Sequence, residues 1–110
     1  RNRIPTQAEF IKNYTELLRT VRSINPEAAI ICIEPVPDWV GADVRYWICL
    51  SINQLKAQGE KNIHYIPLNV PEPLLKEADY TNDLTHPTAD GAKKIALYLK
   101  DKVAEIIKWQ

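Results

Sequence analysis

Two side chains with the types and spacing for acid–base chemistry lie in the segment Asp-Leu-Thr-His-Pro, residues 83–87. Asp83 and His86 are three residues apart, just ahead of a predicted helix start. In a turn, a carboxylate at this spacing can accept a hydrogen bond from the Nδ1–H of the imidazole, which fixes the tautomer and leaves Nε2 able to accept a proton. The alternative is a turn aspartate that only caps the local backbone, beside a solvated histidine. The spacing alone leaves both interpretations open.

The overlapping triplet Thr-Asn-Asp, residues 81–83, offers a second kind of chemistry, because the Asn82 amide could donate a hydrogen bond to an oxyanion. Its position favours a turn role instead. Asn82 is only four residues from His86 in the same loop, whereas a donor opposite the attacking base usually comes from a different strand end. We therefore interpret Asp83 as the one chemically committed member of the triplet.

The other nucleophilic and metal-ligating side chains lie in predicted helices and strands. His64 occupies an alternating position in a predicted strand, which is typical of a packed or solvated histidine. The sequence has two histidines without a third ligand on the same element, which argues against a zinc site. Ser23 and Ser51 belong to predicted helices, so neither stands on the sharp strand-to-helix turn of a serine nucleophile. Cys32 and Cys49 lie in apolar segments, which favours buried thiols and opposes an activated thiolate, although a disulfide between them stays open.

Composition excludes several classes of function. The 110 residues carry 14 basic and 14 acidic side chains without a basic run, so nothing predicts binding to nucleic acid. No apolar run approaches the roughly 18 residues of a membrane span, and there is no Gly-rich phosphate loop. The length suits one compact unit. Because the sequence opens on Arg-Asn-Arg-Ile-Pro without a Met, we expect further polypeptide upstream.

The elements that must position Asp83 and His86 follow from hydrophobic periodicity and capping. Thr6 and Glu9 form a predicted capping box, Asp43 and Thr88 are predicted helix caps, and Gly59 fits a left-handed cap. The pattern predicts the order α-β-α-β-α. The helices are predicted over 5–23, from 43 to Gly59 and after Thr88. The strands are predicted from Ala28 to Ile33 and from Ile63 to Leu68, with one further helical turn at Leu74 to Ala78.

Both predicted strands are apolar on both faces, which is typical of a parallel sheet covered by helices on each side. Two such strands cover little apolar surface and leave two unprotected edges. The sequence therefore predicts part of a larger doubly wound sheet, completed by an amino-terminal half or by another chain.

Three stretches together resemble the carboxyl-terminal half of the SGNH, or GDSL-type, hydrolases, and among these the acetyl esterases of carbohydrate esterase family two are the most similar. FIKNYTELLRTVR and NPEAAIIC, residues 10–22 and 25–32, are similar to the helix and buried strand that follow the third conserved block of the family. IHYIPL, residues 63–68, is similar to the last core strand. DLTHPTADGAKKIA, residues 83–96, matches the fifth block, Asp-x-x-His-Pro, and the helix behind it.

The resemblance implies a three-layer α/β/α, flavodoxin-like SGNH hydrolase fold with a parallel sheet. Residues 1–110 would form the carboxyl-terminal α-β-α-β-α portion of a single domain. The family's Gly-Asp-Ser block and its oxyanion-hole Gly and Asn have no match in the sequence. The resemblance therefore implies a partner, the amino-terminal half of the same domain, on the same or a separate chain.

By resemblance, His86 would be the general base that deprotonates a serine, and Asp83 would orient its imidazole and stabilise the imidazolium. Trp39 lies in the Pro-rich loop that follows the first strand. There its ring could offer a flat face to a sugar ring, or it could anchor the loop on the core. Such enzymes cleave esters, often acetyl groups on sugars, through an acyl-enzyme, without a metal or other cofactor. The implied partner is a small-molecule or carbohydrate ester.

The resemblance thus implies a serine ester hydrolase that is inactive as this chain alone. The sequence does not specify the compartment, and the resemblance favours an extracellular or periplasmic one. The alternative is a non-catalytic α/β binding or interaction module that keeps the fold. A receiver-like domain is disfavoured, because the acidic cluster that it needs is missing.

Overall fold

The computed structural model describes residues 5–37 and 42–108. Over this range the chain forms helix α1 (Gln7–Ile24), strand β1 (Ile30–Ile33), helix α2 (Ala42–Ala57), strand β2 (Ile63–Ile66), a 3-10 helix (Glu77–Asp79) and helix α3 (Ala89–Ile107). The predicted α-β-α-β-α order is confirmed. None of the helices in the described residues combines the length and apolarity needed to cross a bilayer.

The two strands pair with each other in a parallel sheet. The Ile30 amide donates to the Asn62 carbonyl at 2.9 Å, and the Glu34 amide donates to the Ile66 carbonyl at 3.0 Å. The sequence separation is the same in both bonds, as it is when paired strands run in the same direction. Each strand is shorter than predicted, and β2 ends before Pro67, which has no N–H for the ladder.

Contacts divide the chain into two compact units, of which the first contains described residues 5–32 and 42–65. Thr6 caps α1, and the predicted capping box with Glu9 is present. Leu17 and Ile24 fit the helical period of the apolar residues of α1, but they are 56% and 71% exposed. The core of this unit consists of Leu18, Ile30, Cys32, Ile48, Ile52, Leu55 and Ile63.

The ends of α2 differ in how well the sequence predicted them. The helix begins at Ala42, so Asp43 lies in its first turn and the prediction that Asp43 is the cap is wrong. A carboxylate in the first turn still interacts favourably with the helix dipole. Gly59 has φ of 107°, as expected for a left-handed residue just past the helix. Trp47 of this helix packs on Phe10 of α1, with ring centroids 5.6 Å apart.

The second unit contains described residues 33–37 and 66–108. Thr88 caps α3 as predicted, accepting a hydrogen bond from the Gly91 amide. The helical turn was predicted at Leu74 to Ala78, whereas the structure has a 3-10 helix at Glu77–Asp79. Gly91 is buried in the first turn of α3. Four apolar residues at helical spacing along α3 are half-buried, namely Ile95, Leu99, Val103 and Ile106.

Candidate active site

The loop that carries Asp83 and His86 connects the 3-10 helix to α3, and backbone contacts close it at its base. Tyr80 and Pro87 form an antiparallel bridge. The Thr88 amide donates to the Asp79 carbonyl at 2.8 Å, and the Thr88 hydroxyl donates to the same oxygen at 3.1 Å. The two ends of the loop are therefore held side by side where the helix begins.

Within the loop, Thr81 ties the two sides of the chain together. Its amide donates to the His86 carbonyl at 2.8 Å, and its carbonyl accepts from the Leu84 amide at 2.9 Å. The second bond closes a four-residue turn in which Asn82 occupies the first central position, in agreement with the predicted turn role. Leu84 has φ of 56°, a left-handed conformation that costs a residue with a side chain about 1–2 kcal/mol.

The Asp83 carboxylate uses its two oxygens differently. Oδ1 accepts hydrogen bonds from the Thr81 hydroxyl at 2.7 Å, the Thr85 amide at 2.8 Å and the His86 amide at 3.0 Å. Oδ2 contacts His86 Nδ1 at 2.5 Å. The His86 amide, followed by the His86 ring, the Thr85 amide and the Thr81 hydroxyl, holds the pKa of Asp83 well below its usual range. Asp83 is therefore ionised near neutral pH.

An ionised carboxylate can only accept hydrogen bonds, so the proton between Asp83 and His86 belongs to Nδ1 of the ring. In the neutral ring, Nε2 then carries the lone pair. The His86 side chain is 75% exposed, and Nε2 has no hydrogen-bond partner in the part of the chain that is described. The structure thus brings together the two residues that the sequence singled out, in an arrangement that can accept a proton from a hydroxyl placed at Nε2.

The base of the loop is anchored by Asp79. Its carboxylate accepts from the Lys76 amide at 2.8 Å and from the Lys94 ammonium at 2.7 Å. The Lys76 amide, followed by Lys94, lowers the pKa of Asp79. The Asp79 carbonyl also lies so close to Gly91 that a Cβ there would be 2.3 Å from the oxygen. Helix α3 can approach the loop this closely because residue 91 has no side chain.

The carboxyl ends of the two strands are linked by a buried carboxylate that the sequence did not single out. Glu34 directly follows β1, is 2% exposed, and its Oε1 accepts from the Leu68 and Asn69 amides at 2.7 and 2.6 Å. The Tyr80 hydroxyl donates to the Val36 carbonyl at 2.9 Å, which ties the loop to the same segment. An acidic residue directly after an apolar strand is the signal that could have revealed Glu34.

Other candidates are not brought to the loop. Trp39, the candidate for contact with a sugar ring, lies outside the described residues. His64 bonds to Asn62 Oδ1 at 2.9 Å within the first unit. The hydroxyls of Ser23 and Ser51 donate to carbonyls of their own helices at 2.8 Å, and Ser51 is fully buried.

The thiols and the metal-ligating side chains offer no second centre in the described residues. Cys32 is buried, and its burial raises the pKa of its thiol, which opposes thiolate chemistry. No disulfide joins it to Cys49, which is only half-buried, so the prediction of burial holds for one cysteine of the two. Residues 5–37 and 42–108 contain no group of three or more His, Cys, Asp or Glu side chains that could hold a metal ion.

No protein-family model and no curated protein matches the sequence. The structure is similar to that of a family two carbohydrate esterase from Clostridium thermocellum, solved in complex with cellohexaose. The TM-score is 0.81 at 19% sequence identity, and the match covers 99% of this chain and 33% of that chain. The similarity confirms the predicted fold class, a mixed α/β fold that forms part of an α/β/α domain. The chain spans about a third of the length of that esterase.

Proposed function

We propose that this chain supplies the aspartate and histidine of a Ser-His-Asp triad in a serine ester hydrolase. The observation that carries the proposal is the bond from His86 Nδ1 to an ionised Asp83, which leaves Nε2 open to solvent. The similarity to a carbohydrate esterase fold supports ester hydrolysis. Because that esterase binds cellohexaose, we propose carbohydrate esters, with O-acetyl groups as the acyl class, as substrates.

In this mechanism Nε2 of His86 takes the proton from a serine hydroxyl as the oxygen attacks the ester carbonyl. Asp83 stabilises the imidazolium that forms. His86 then gives the proton to the departing sugar oxygen, which leaves an acyl-enzyme. A water molecule, deprotonated by the same Nε2, attacks the acyl group, and the serine oxygen recovers its proton and leaves.

We place the serine and the oxyanion donors outside these 110 residues, in the amino-terminal half of the same domain. The two serines of the chain support this, because both use their hydroxyls within helices and Ser51 has no exposed surface. Trp39 is proposed to present its ring to a sugar of the substrate. The proposal thus assigns proton transfer to this chain and bond formation to its partner segment.

The test compares two histidines in the full-length protein that contains this chain. His86→Ala is expected to lower kcat/KM for p-nitrophenyl acetate by about a thousandfold or more, because base and nucleophile act as a unit. His64→Ala is the matched control and should change kcat/KM little, since the His64 ring bonds to Asn62, two residues away on the same segment. A fluorophosphonate should label one serine of the full-length protein and none of the isolated chain.

Two results would contradict the proposal. Turnover by the isolated chain would mean that a residue within it is the nucleophile. Absence of fluorophosphonate labelling in the full-length protein, with no effect of His86→Ala, would favour the non-catalytic α/β module.

A further inference from the structure

Thr81 holds the carboxylate of Asp83 from the side of the loop opposite to His86. Of the three donors to Oδ1, two are amides of the loop residues that follow the turn, Thr85 and His86, and the third is the Thr81 hydroxyl at 2.7 Å. The two amides fix where Oδ1 lies relative to the residues that follow. The hydroxyl adds a third direction, from the chain that precedes Asp83, and this limits rotation of the carboxylate about its Cβ–Cγ bond.

The backbone of Thr81 keeps its hydroxyl in place. Its amide donates to the His86 carbonyl at 2.8 Å, and its carbonyl accepts from the Leu84 amide at 2.9 Å. Thr81 is thus bound through N, O and Oγ1 to both sides of the same short loop. A hydroxyl with this support is already oriented before it meets the carboxylate, so its bond costs little additional side-chain entropy.

We propose that Thr81 is a positioning residue for the Asp83–His86 pair, whose hydroxyl directs Oδ2 of Asp83 at Nδ1 of His86. The role of Thr81 rests on the proposed function in one respect, because the Asp83–His86 pair is the one to which proton transfer is assigned. Thr81 touches no reacting atom. The bond from a hydroxyl to a carboxylate is of the stronger, charge-assisted kind, and it contributes to the lowered pKa of Asp83.

The loop offers a matched control for this role. The Thr85 hydroxyl donates to the backbone carbonyl of Asp83 at 3.1 Å, not to its carboxylate. Thr81→Val and Thr85→Val therefore each remove one hydroxyl from the same loop and replace it with a methyl group. Only the first change removes a hydrogen bond from the Asp83 carboxylate, whose Oδ1 keeps the Thr85 and His86 amides. Thr81→Ser restores a hydroxyl at position 81.

The experiment is a proton and ¹⁵N NMR study of the His86 ring in the full-length protein that contains this chain, with a pH titration of Asp83. Thr81→Val is expected to shift the downfield Nδ1 proton signal upfield or broaden it away, and to raise the pKa of Asp83. Thr85→Val and Thr81→Ser should retain the signal of the unaltered chain. Amide spectra report whether the loop keeps its fold.

Unchanged ring signals in Thr81→Val would overturn the proposal, as would equal changes in Thr85→Val or loss of the signal in Thr81→Ser. Loss of the loop's amide signals in Thr81→Val would also overturn it, because Thr81 would then hold the fold of the loop and not the direction of the carboxylate. The readout needs no serine. A failure of the proposed esterase function leaves it unaffected, so the two failures can be told apart.

Discussion

Gly91→Ala tests whether the loop bearing Asp83 and His86 is positioned by close packing of α3. On helix propensity alone, the change should stabilise the chain by up to about 1 kcal/mol. The new Cβ, however, would lie 2.3 Å from the Asp79 carbonyl oxygen, far inside normal contact. Such overpacking costs about 1–3 kcal/mol.

Relief of this contact requires the helix or the carbonyl to move, and the Asp79 carbonyl is also the acceptor of the Thr88 amide at 2.8 Å. Weakening that bond adds about 1 kcal/mol. The three contributions together predict that Gly91→Ala lowers the free energy of unfolding by about 1–3 kcal/mol. The amide signals of the loop should shift with it.

The assay is urea unfolding followed by circular dichroism, with Ala92→Gly as the control. Ala92 is the next residue of α3 and is exposed, so its substitution reports propensity alone and should cost about 1 kcal/mol. A Gly91→Ala chain that is as stable as the unaltered one, or more so, would refute the argument from close approach.

Two further predictions concern charge. The Arg22 guanidinium, 2.9 Å from Glu60, followed by the Asn62 and Lys61 amides, lowers the pKa of Glu60 from 4.5 to about 2. The shift corresponds to about 3 kcal/mol, or about 1–3 kcal/mol once solvent screening is allowed for. Because the folded-state pKa is the lower one, this stability is present above pH 4.5 and is lost as the pH falls through about 2. Glu60→Gln should therefore reduce the free energy of unfolding at pH 7 and remove this acid dependence in urea titrations; parallel pH curves for the two chains would contradict the assignment. Asp83→Asn places an amide against Nδ1, so ¹⁵N spectra of neutral His86 should show more of the Nε2–H tautomer; an unchanged tautomer ratio would mean that Asp83 does not set it.

The local sequence was sufficient for the features whose physics is local. The Thr6 capping box, the Thr88 cap and the left-handed Gly59 depend on bonds or dihedral angles within a few residues. The spacing of Asp83 and His86 likewise brings their side chains together within one turn, because the loop that joins them is short. These features were predicted correctly for that reason.

Tertiary structure decided what depends on neighbours that are distant in sequence. Leu17 and Ile24 fit the helical period of α1 and are nevertheless exposed. The period shows which residues share a face of the helix, but it does not show whether another element packs against that face. Glu34 reaches the amides of Leu68 and Asn69, more than thirty residues on, and no local pattern encodes that bond. The same holds for the contact of Gly91 with Asp79, which depends on how α3 meets the loop.

The sequence by itself thus determined the order of the main helices and strands and the contact between Asp83 and His86. Only the folded chain showed how that pair is held, with the Thr81 hydroxyl and two amides on one carboxylate oxygen and the ring on the other. The physical reason is that residue types and spacing limit which groups can meet. The direction of each hydrogen bond is set by the dihedral angles of the closed loop and by the elements that anchor its ends.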